Sequence, residues 1–415
     1  AQATHPAQRS GNWGTLDIIR ALEWVEQNIA NFGGDPDKVM VFGQSAGGIQ
    51  VYSMLTSPYA SGLFSRAIIH SGFPTTFSRQ QAENRIDDPS PGEPNSSAEI
   101  LLKLLQADGK ASNRETAATL ADTMTDQAIA EYLQGKTATQ LLQPFAAEKP
   151  LAGIYIQPFA LRDGEVLPHK RAEQLFIENQ WNTMPVIIGS NRQELKTMVM
   201  TRSPYLYTVG SIPVGVKDQR RYDLVSEYGG LMWKVLGVDE QAEAIAANGG
   251  DVWAYRFDWD EQPSRLWLDF SVIVGAGHGV ELPFVFGSLD AAYLPNIFFD
   301  EETLEPLSSL MRNYWTNFTA DGTPNGERSN GQPPWLKWQA GDSPNKTLVI
   351  DSPGAGGIRM SSETVSRADL LARVATDPNL RNSEERCEMY RTYIEWSEII
   401  TPEEYSGLDG GKCQA

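Results

Sequence analysis

Gly43-Gln44-Ser45-Ala46-Gly47 frames one serine between two glycines at a spacing that suits nucleophilic chemistry. Such a G-x-S-x-G run is common by chance. It carries meaning only where a strand leads in and a helix leads out. Both flanks fit that context. Val39-Met40-Val41-Phe42 is a short continuous apolar run of the kind buried on both faces of a parallel sheet, and a helix is predicted from Gly48 towards Leu55, ending before Ser57-Pro58. A chain that turns from strand to helix within a few residues strains the backbone at the serine. A side chain at 43 or 47 is expected to collide with the neighbouring helix or strand. The Ser45 hydroxyl then stands at the C-terminal end of the sheet, where open α/β sheets place their sites. The helix N-terminus behind it offers free N–H groups, that of Ala46 among them, to a developing oxyanion.

A serine nucleophile needs a base, and the chain has four histidines: His5, His70, His169 and His278. His5 precedes the sheet. His169 lies among Pro and Lys and reads as a solvated surface residue. His70 ends an apolar strand and reads as its polar cap. His278 lies in Val274-Gly275-Ala276-Gly277-His278-Gly279, a glycine-rich loop late in the chain. After an elbow of this kind the acid and then the histidine follow in chain order, and only His278 leaves room for a late acid. The acid belongs just after a strand. Gly189-Ser190-Asn191-Arg192-Gln193-Glu194 follows Val186-Ile187-Ile188 directly, which makes Glu194 the candidate. A solvated loop carboxylate is the plainer reading of the same residue. An imidazole between hydroxyl and carboxylate can accept the serine proton and return it to a leaving alcohol.

The elements that would position these groups alternate. Apolar residues at Leu16, Ile19, Leu22, Val25 and Ile29 predict a helix over 16–30, stopped by Phe32-Gly33-Gly34. Further buried strands are predicted at Ala67-Ile68-Ile69, Val186-Ile187-Ile188, Val252 to Phe257 and Leu348-Val349-Ile350. Leu307, Leu310, Met311, Tyr314 and Phe318 mark an amphipathic helix closed by Asp321-Gly322. This alternation is that of a mainly parallel α/β sheet flanked by helices. Residues 74–183 break the pattern. They hold a Pro/Ser/Asp-rich loop over 87–95 and helical segments over 98–105 and 126–133 without strand partners, and read as a cap-like insertion over the active-site end. The whole of 1–415 reads as one domain containing that insertion.

Composition narrows the function classes. Hydrophobic residues make up 41 % of the 415, enough for a sizeable core and too many for a disordered chain. A net charge of −19 repels phosphate backbones and anionic lipid heads, so nucleic acid is not an expected partner. No run of roughly twenty apolar residues suggests a transmembrane helix, and no signal peptide is read at Ala1. No Cys/His cluster suggests a metal site. The two cysteines, Cys387 and Cys413, can close a disulfide across the tail if the protein is exported. Sequons stand at Asn95, Asn317 and Asn345.

The same residues resemble the type-B carboxylesterases, the cholinesterase-like branch of the α/β-hydrolases. The resemblance rests on blocks in order along the chain to about residue 350. Gly11-Asn12-Trp13-Gly14 opens them, followed by Asn31-Phe32-Gly33-Gly34-Asp35-Pro36 and Gly43 to Gly48. Gly62-Leu63-Phe64, Ser71-Gly72 and the acid loop at Gly189 to Glu194 come next. His278-Gly279-x-Glu281-Leu282-Pro283-Phe284 and Trp315-x-Asn317-Phe318 complete the set. It implies an α/β-hydrolase fold and a Ser45/Glu194/His278 triad with Ala46 N–H in the oxyanion site. It also implies hydrolysis of small-molecule carboxylic esters through an acyl-enzyme, without metal or cofactor.

Two departures stand out. Position 44 is often glutamate in that family and is Gln44 here, which gives no support for a cationic choline substrate. The family also sets further strands and a glycine-rich oxyanion loop before the elbow, where this chain has room for one helix. Ala1 is therefore expected to be an internal point of a longer polypeptide, with the remaining oxyanion donors in the absent part. The resemblance leaves open an inactive adhesion or binding protein of the neuroligin-like kind, and amide or carbamate hydrolysis on the same scaffold. All three triad positions are filled, which favours the esterase. The family is often exported, which points to an extracellular or periplasmic location. Oligomeric state is not legible.

Overall fold

The computed structural model describes residues 6–146, 160–210, 212–292, 294–344, 346–396 and 400–413. His5 and the Asn345 sequon lie outside the described residues. The chain falls into two compact units, residues 1–18 with 75–171, and 19–74 with 172–415.

The larger unit is built on a six-stranded sheet. Its elements begin with α1 (Trp13–Asn28), which belongs to this unit from residue 19 on, β1 (Met40–Gln44), α2 (Ala46–Thr56) and β2 (Arg66–His70). They continue through β3 (Val186–Asn191), α3 (Gln219–Lys234), β4 (Val252–Phe257) and α4 (Glu301–Asp321) to β5 (Thr347–Ile350) and β6 (Arg359–Ser361). The strands lie side by side in the order β1-β2-β3-β4-β5-β6, the order in which the chain makes them. The first five are parallel and β6 returns antiparallel. Their register aligns Gln44 with His70, His70 with Gly189, and Gly189 with Tyr255. The C-terminal strand ends that carry the predicted chemistry therefore form one row. β3 is buried at every position and β4 at all but Arg256, as expected of parallel strands covered on both faces. Their side chains join Ile68, Leu348 and residues of α4 in one aromatic-rich core.

β1 departs from the expectation of burial on both faces. None of its residues is fully buried and Phe42 is 48 % exposed. An apolar run reports that a strand has a face to bury but not how many neighbours cover it, and among the described residues β1 pairs with β2 alone. The amphipathic α4 closes on Gly322 in the left-handed region, as its spacing predicts.

Among the described residues the smaller unit holds the helices Arg79–Glu83, Ser97–Ala107, Arg114–Asp122, Asp126–Gln134 and Ala138–Ala146, more than the two helical segments the sequence pattern suggests. Leu101, Leu102, Leu105, Ala117 and Ala121 form its own small core. Glu99 is buried there against the Arg114 guanidinium, which holds its carboxyl below the usual range. In the larger unit the Cys387–Cys413 disulfide is formed and joins α5 (Ser383–Trp396) to the residues following α6 (Pro402–Gly411).

Candidate active site

The elbow is as tight as its glycines suggest, though at only one of the two positions expected. Ser45 sits at φ 59°, ψ −121°, a conformation that L residues rarely adopt, and begins α2 as its N-cap. Its backbone N–H donates to the His70 carbonyl at 2.9 Å, which ties the turn to β2. A Cβ on Gly43 would come within 2.3 Å of the Gly47 backbone. A Cβ on Gly47 itself would meet nothing within 4 Å. The motif therefore needs the bare backbone of 47 next to 43, not an empty space beside 47. The second close approach is one residue later, where Gly48 lies against the Gly72 backbone and a Cβ would stand 2.9 Å from its Cα. Ala46 occupies the first position of α2, where an N–H has no intrahelical acceptor.

Glu194 and His278 are brought together. His278 Nδ1 and Glu194 Oε2 are 2.6 Å apart, with both side chains buried. Three further contacts fix the pair. The Asn191 N–H donates to Glu194 Oε1 at 2.7 Å, the His278 N–H donates to the Glu194 carbonyl at 3.2 Å, and Thr197 Oγ1 donates to the His278 carbonyl at 2.9 Å. Burial pulls the imidazole pKa down. The charge and hydrogen bond of Glu194, helped by the charge of Glu281, outweigh burial and leave it above its ordinary value.

The remaining imidazole nitrogen does not meet the serine. His278 Nε2 lies 3.2 Å from Gln44 Nε2, and the Ser45 hydroxyl makes no hydrogen bond among the described residues. In the neutral tautomer with Nδ1–H directed to Glu194, Nε2 carries the lone pair and accepts from the Gln44 amide. The acid–base half of the arrangement is closed and the nucleophile half is open. Unliganded sites often show this looseness and tighten on binding.

The other histidines are placed elsewhere. His70 is buried at the end of β2, between the Tyr255 hydroxyl and the Trp315 indole. His169 is exposed and touches the Arg162 carbonyl. Asn317 is buried, its amide donating to the Pro324 carbonyl and to Ser329 Oγ, so the sequon there is closed in the folded chain.

Three neighbours of the site have contacts that the sequence reading does not give. Trp233, on α3, packs its ring 5.0 Å from the His278 ring and donates its indole N–H to the Ser71 carbonyl at 2.8 Å. Gly230 lets the same helix approach the acid loop, since a Cβ there would stand 2.0 Å from the Arg192 carbonyl. Asn191 supports Glu194 through its backbone. Among the described residues no cluster of His, Cys, Asp or Glu could hold a metal ion, and no helix is long and apolar enough to cross a membrane.

A sequential parallel sheet with a strained serine after its first strand, an acid after the third and a histidine after the fourth is the arrangement of an α/β-hydrolase fold. Solved structures agree. A para-nitrobenzyl esterase is 27 % identical with a TM-score of 0.55, covering 84 % of this chain and 65 % of that one. The model of the carboxylesterase family matches residues 2–208 and 204–367, and the chain belongs to that family. Similar curated proteins include carboxylesterase 1C of Mus musculus, 29 % identical over 408 residues, covering 89 % of this chain and 65 % of the relative. Para-nitrobenzyl esterase of Bacillus subtilis (strain 168) is 30 % identical over 356 residues, covering 83 % and 64 %. The chain thus spans somewhat less than two thirds of the length of these relatives.

Proposed function

We propose that this chain carries the site of a serine carboxylesterase acting on small-molecule carboxylic esters. Ser45 is the nucleophile, His278 the general base and then acid, and Glu194 the residue that orients the imidazole and stabilises its charged form. The observation that carries this reading is the buried 2.6 Å contact of His278 with Glu194, at the same end of the sheet as a serine in a strained elbow. Names of relatives support it: they include a cocaine esterase and a para-nitrobenzyl esterase as well as carboxylesterases.

In the proposed reaction the Nε2 lone pair leaves the Gln44 amide and takes the Ser45 proton as Oγ attacks the ester carbonyl. The tetrahedral oxyanion is held by Ala46 N–H, the donor that the elbow offers. The imidazolium, stabilised by Glu194, returns the proton to the leaving alcohol. Water then hydrolyses the acyl-enzyme by the same path in reverse. Gln44 places no charge beside the nucleophile and so gives no support for a cationic alcohol. Residues 74–183 remain a proposed cap on the sequence grounds given above.

The test is labelling by a fluorophosphonate, with the adduct located by mass spectrometry. One adduct on Ser45, absent in Ser45→Ala together with esterase turnover, is the expected result. Folded protein that takes no adduct and turns over no ester would count against the esterase reading of this chain. Labelling of Ser45 with turnover of amides or carbamates alone would move the substrate class.

A further inference from the structure

Glu281 is a buried acid that the proposed mechanism leaves idle. It follows His278 by three residues and is 0 % exposed. Asn191 Nδ2 donates to its Oε2 at 2.5 Å and to the Gly277 carbonyl at 2.7 Å. The backbone N–H of the same Asn191 holds Glu194. One residue therefore carries two carboxyl groups, one on its side chain and one on its main chain. The other oxygen of Glu281, Oε1, is buried and has no hydrogen-bond partner among the described residues.

The groups facing Glu281 are few. Glu194 comes from the loop after β3, His278 from the adjoining loop, and Tyr255 from β4, its hydroxyl bonded to His70. Among the described residues, the positive charge that acts on it is that of His278. Two carboxylates and one imidazolium leave a net negative charge in a site closed to water, which is costly. Burial first, and then the charge of Glu194, push the Glu281 carboxyl up to about 7, against the Asn191 hydrogen bond and the charge of His278. It would then change charge within the working range of a histidine base.

We propose that Glu281 is a positioning residue for the base, which sets how tightly His278 holds its proton through the charge it places beside the Glu194–His278 pair. With Glu281 protonated, His278 faces one anion and releases its proton readily. With Glu281 ionised, it faces two and holds the proton to higher pH. Gln44 is uncharged and Tyr255 neutral, so neither supplies this effect.

The inference rests on His278 being the base, but its test needs no turnover. Four histidines make the imidazole signals of the Ser45→Ala protein separable by NMR. In Ser45→Ala carrying Glu281→Gln, which keeps an oxygen for Asn191 Nδ2, the His278 midpoint should fall by about one pH unit. An unchanged midpoint in a folded protein overturns the proposal. A second measurement avoids substitution at 281. Because the interaction of the two groups is reciprocal, the Glu281 carboxyl ¹³C signal of Ser45→Ala should follow the His278 titration. A signal indifferent to it also overturns the proposal. A midpoint that moves while Ser45 takes no fluorophosphonate separates failure of the esterase reading from failure of this one.

Discussion

His70 and His278 are both buried at the same end of one sheet, and their surroundings push their proton affinities in opposite directions. His70 meets neutral partners. Its Nδ1 is 2.7 Å from the Tyr255 hydroxyl, and the Trp315 indole N–H donates to its Nε2 at 3.2 Å. Nε2 is thereby the acceptor and Nδ1 carries the proton. With no charge to oppose it, burial lowers the imidazole to about 3. His278 suffers the same burial, but Glu194 more than offsets it. Burial alone makes a silent histidine, whereas burial with a carboxylate makes one able to take up and give back a proton. The register places His70 next to Gln44, one residue before the proposed nucleophile. Proximity to the elbow is therefore a poor guide to role.

The contrast fails if the two residues can exchange consequences. The largest expected effect is from His278→Ala, which should lower ester turnover by roughly 10⁴-fold or more while leaving thermal unfolding largely intact. If turnover survives, His278 is not the base. Glu194→Gln keeps a hydrogen-bonding side chain but removes the charge, and a loss on the order of 10³–10⁴ in kcat is expected. A loss of only a few fold would mean that geometry, not charge, separates the two histidines.

His70→Ala should do the reverse. It empties a buried, doubly hydrogen-bonded position, costing about 2–4 kcal/mol in denaturant unfolding, yet folded protein should still label at Ser45. The pH dependence sharpens the point. Between about 6.5 and about 3 the unfolded chain takes up a proton at His70 that the folded chain refuses. Stability from this group is thus present above that range and lost as pH falls through it. The wild-type minus His70→Ala difference in unfolding free energy should shrink on acidification, and a constant difference would remove the assignment. Smallest is Trp315→Phe, which deletes one donor to His70 and should cost about 1 kcal/mol with no change in labelling rate.

What the sequence makes legible is local. The elbow, the strands at 67–69, 186–188 and 252–257, and the glycine end of α4 follow from spacing within a few residues. Glu194 and His278 follow from their place after strands. The partners that give them character do not, because each is set by the fold across a long separation. Asn191 lies inside the acid-loop motif, yet its hold on Glu281 spans 90 positions, and Trp233 reaches Ser71 across 162. Phe42 shows the same limit for burial, since an apolar strand cannot announce that, among the described residues, one neighbour pairs with it. The mistaken expectation at Gly47 has a similar cause. The motif names the glycines, and only three-dimensional packing says which of them is crowded.

The strand order has a consequence for the making of the protein. Because the sheet grows in the order of the chain, a ribosome delivers the serine first and the histidine last. Gln44 and His278 are 234 positions apart, which at a few to twenty residues per second is roughly ten to fifty seconds of synthesis. Throughout that interval the nascent chain carries the proposed nucleophile without its proposed base. Whatever chemistry the finished site performs, the growing chain cannot begin it before the fourth strand is in place.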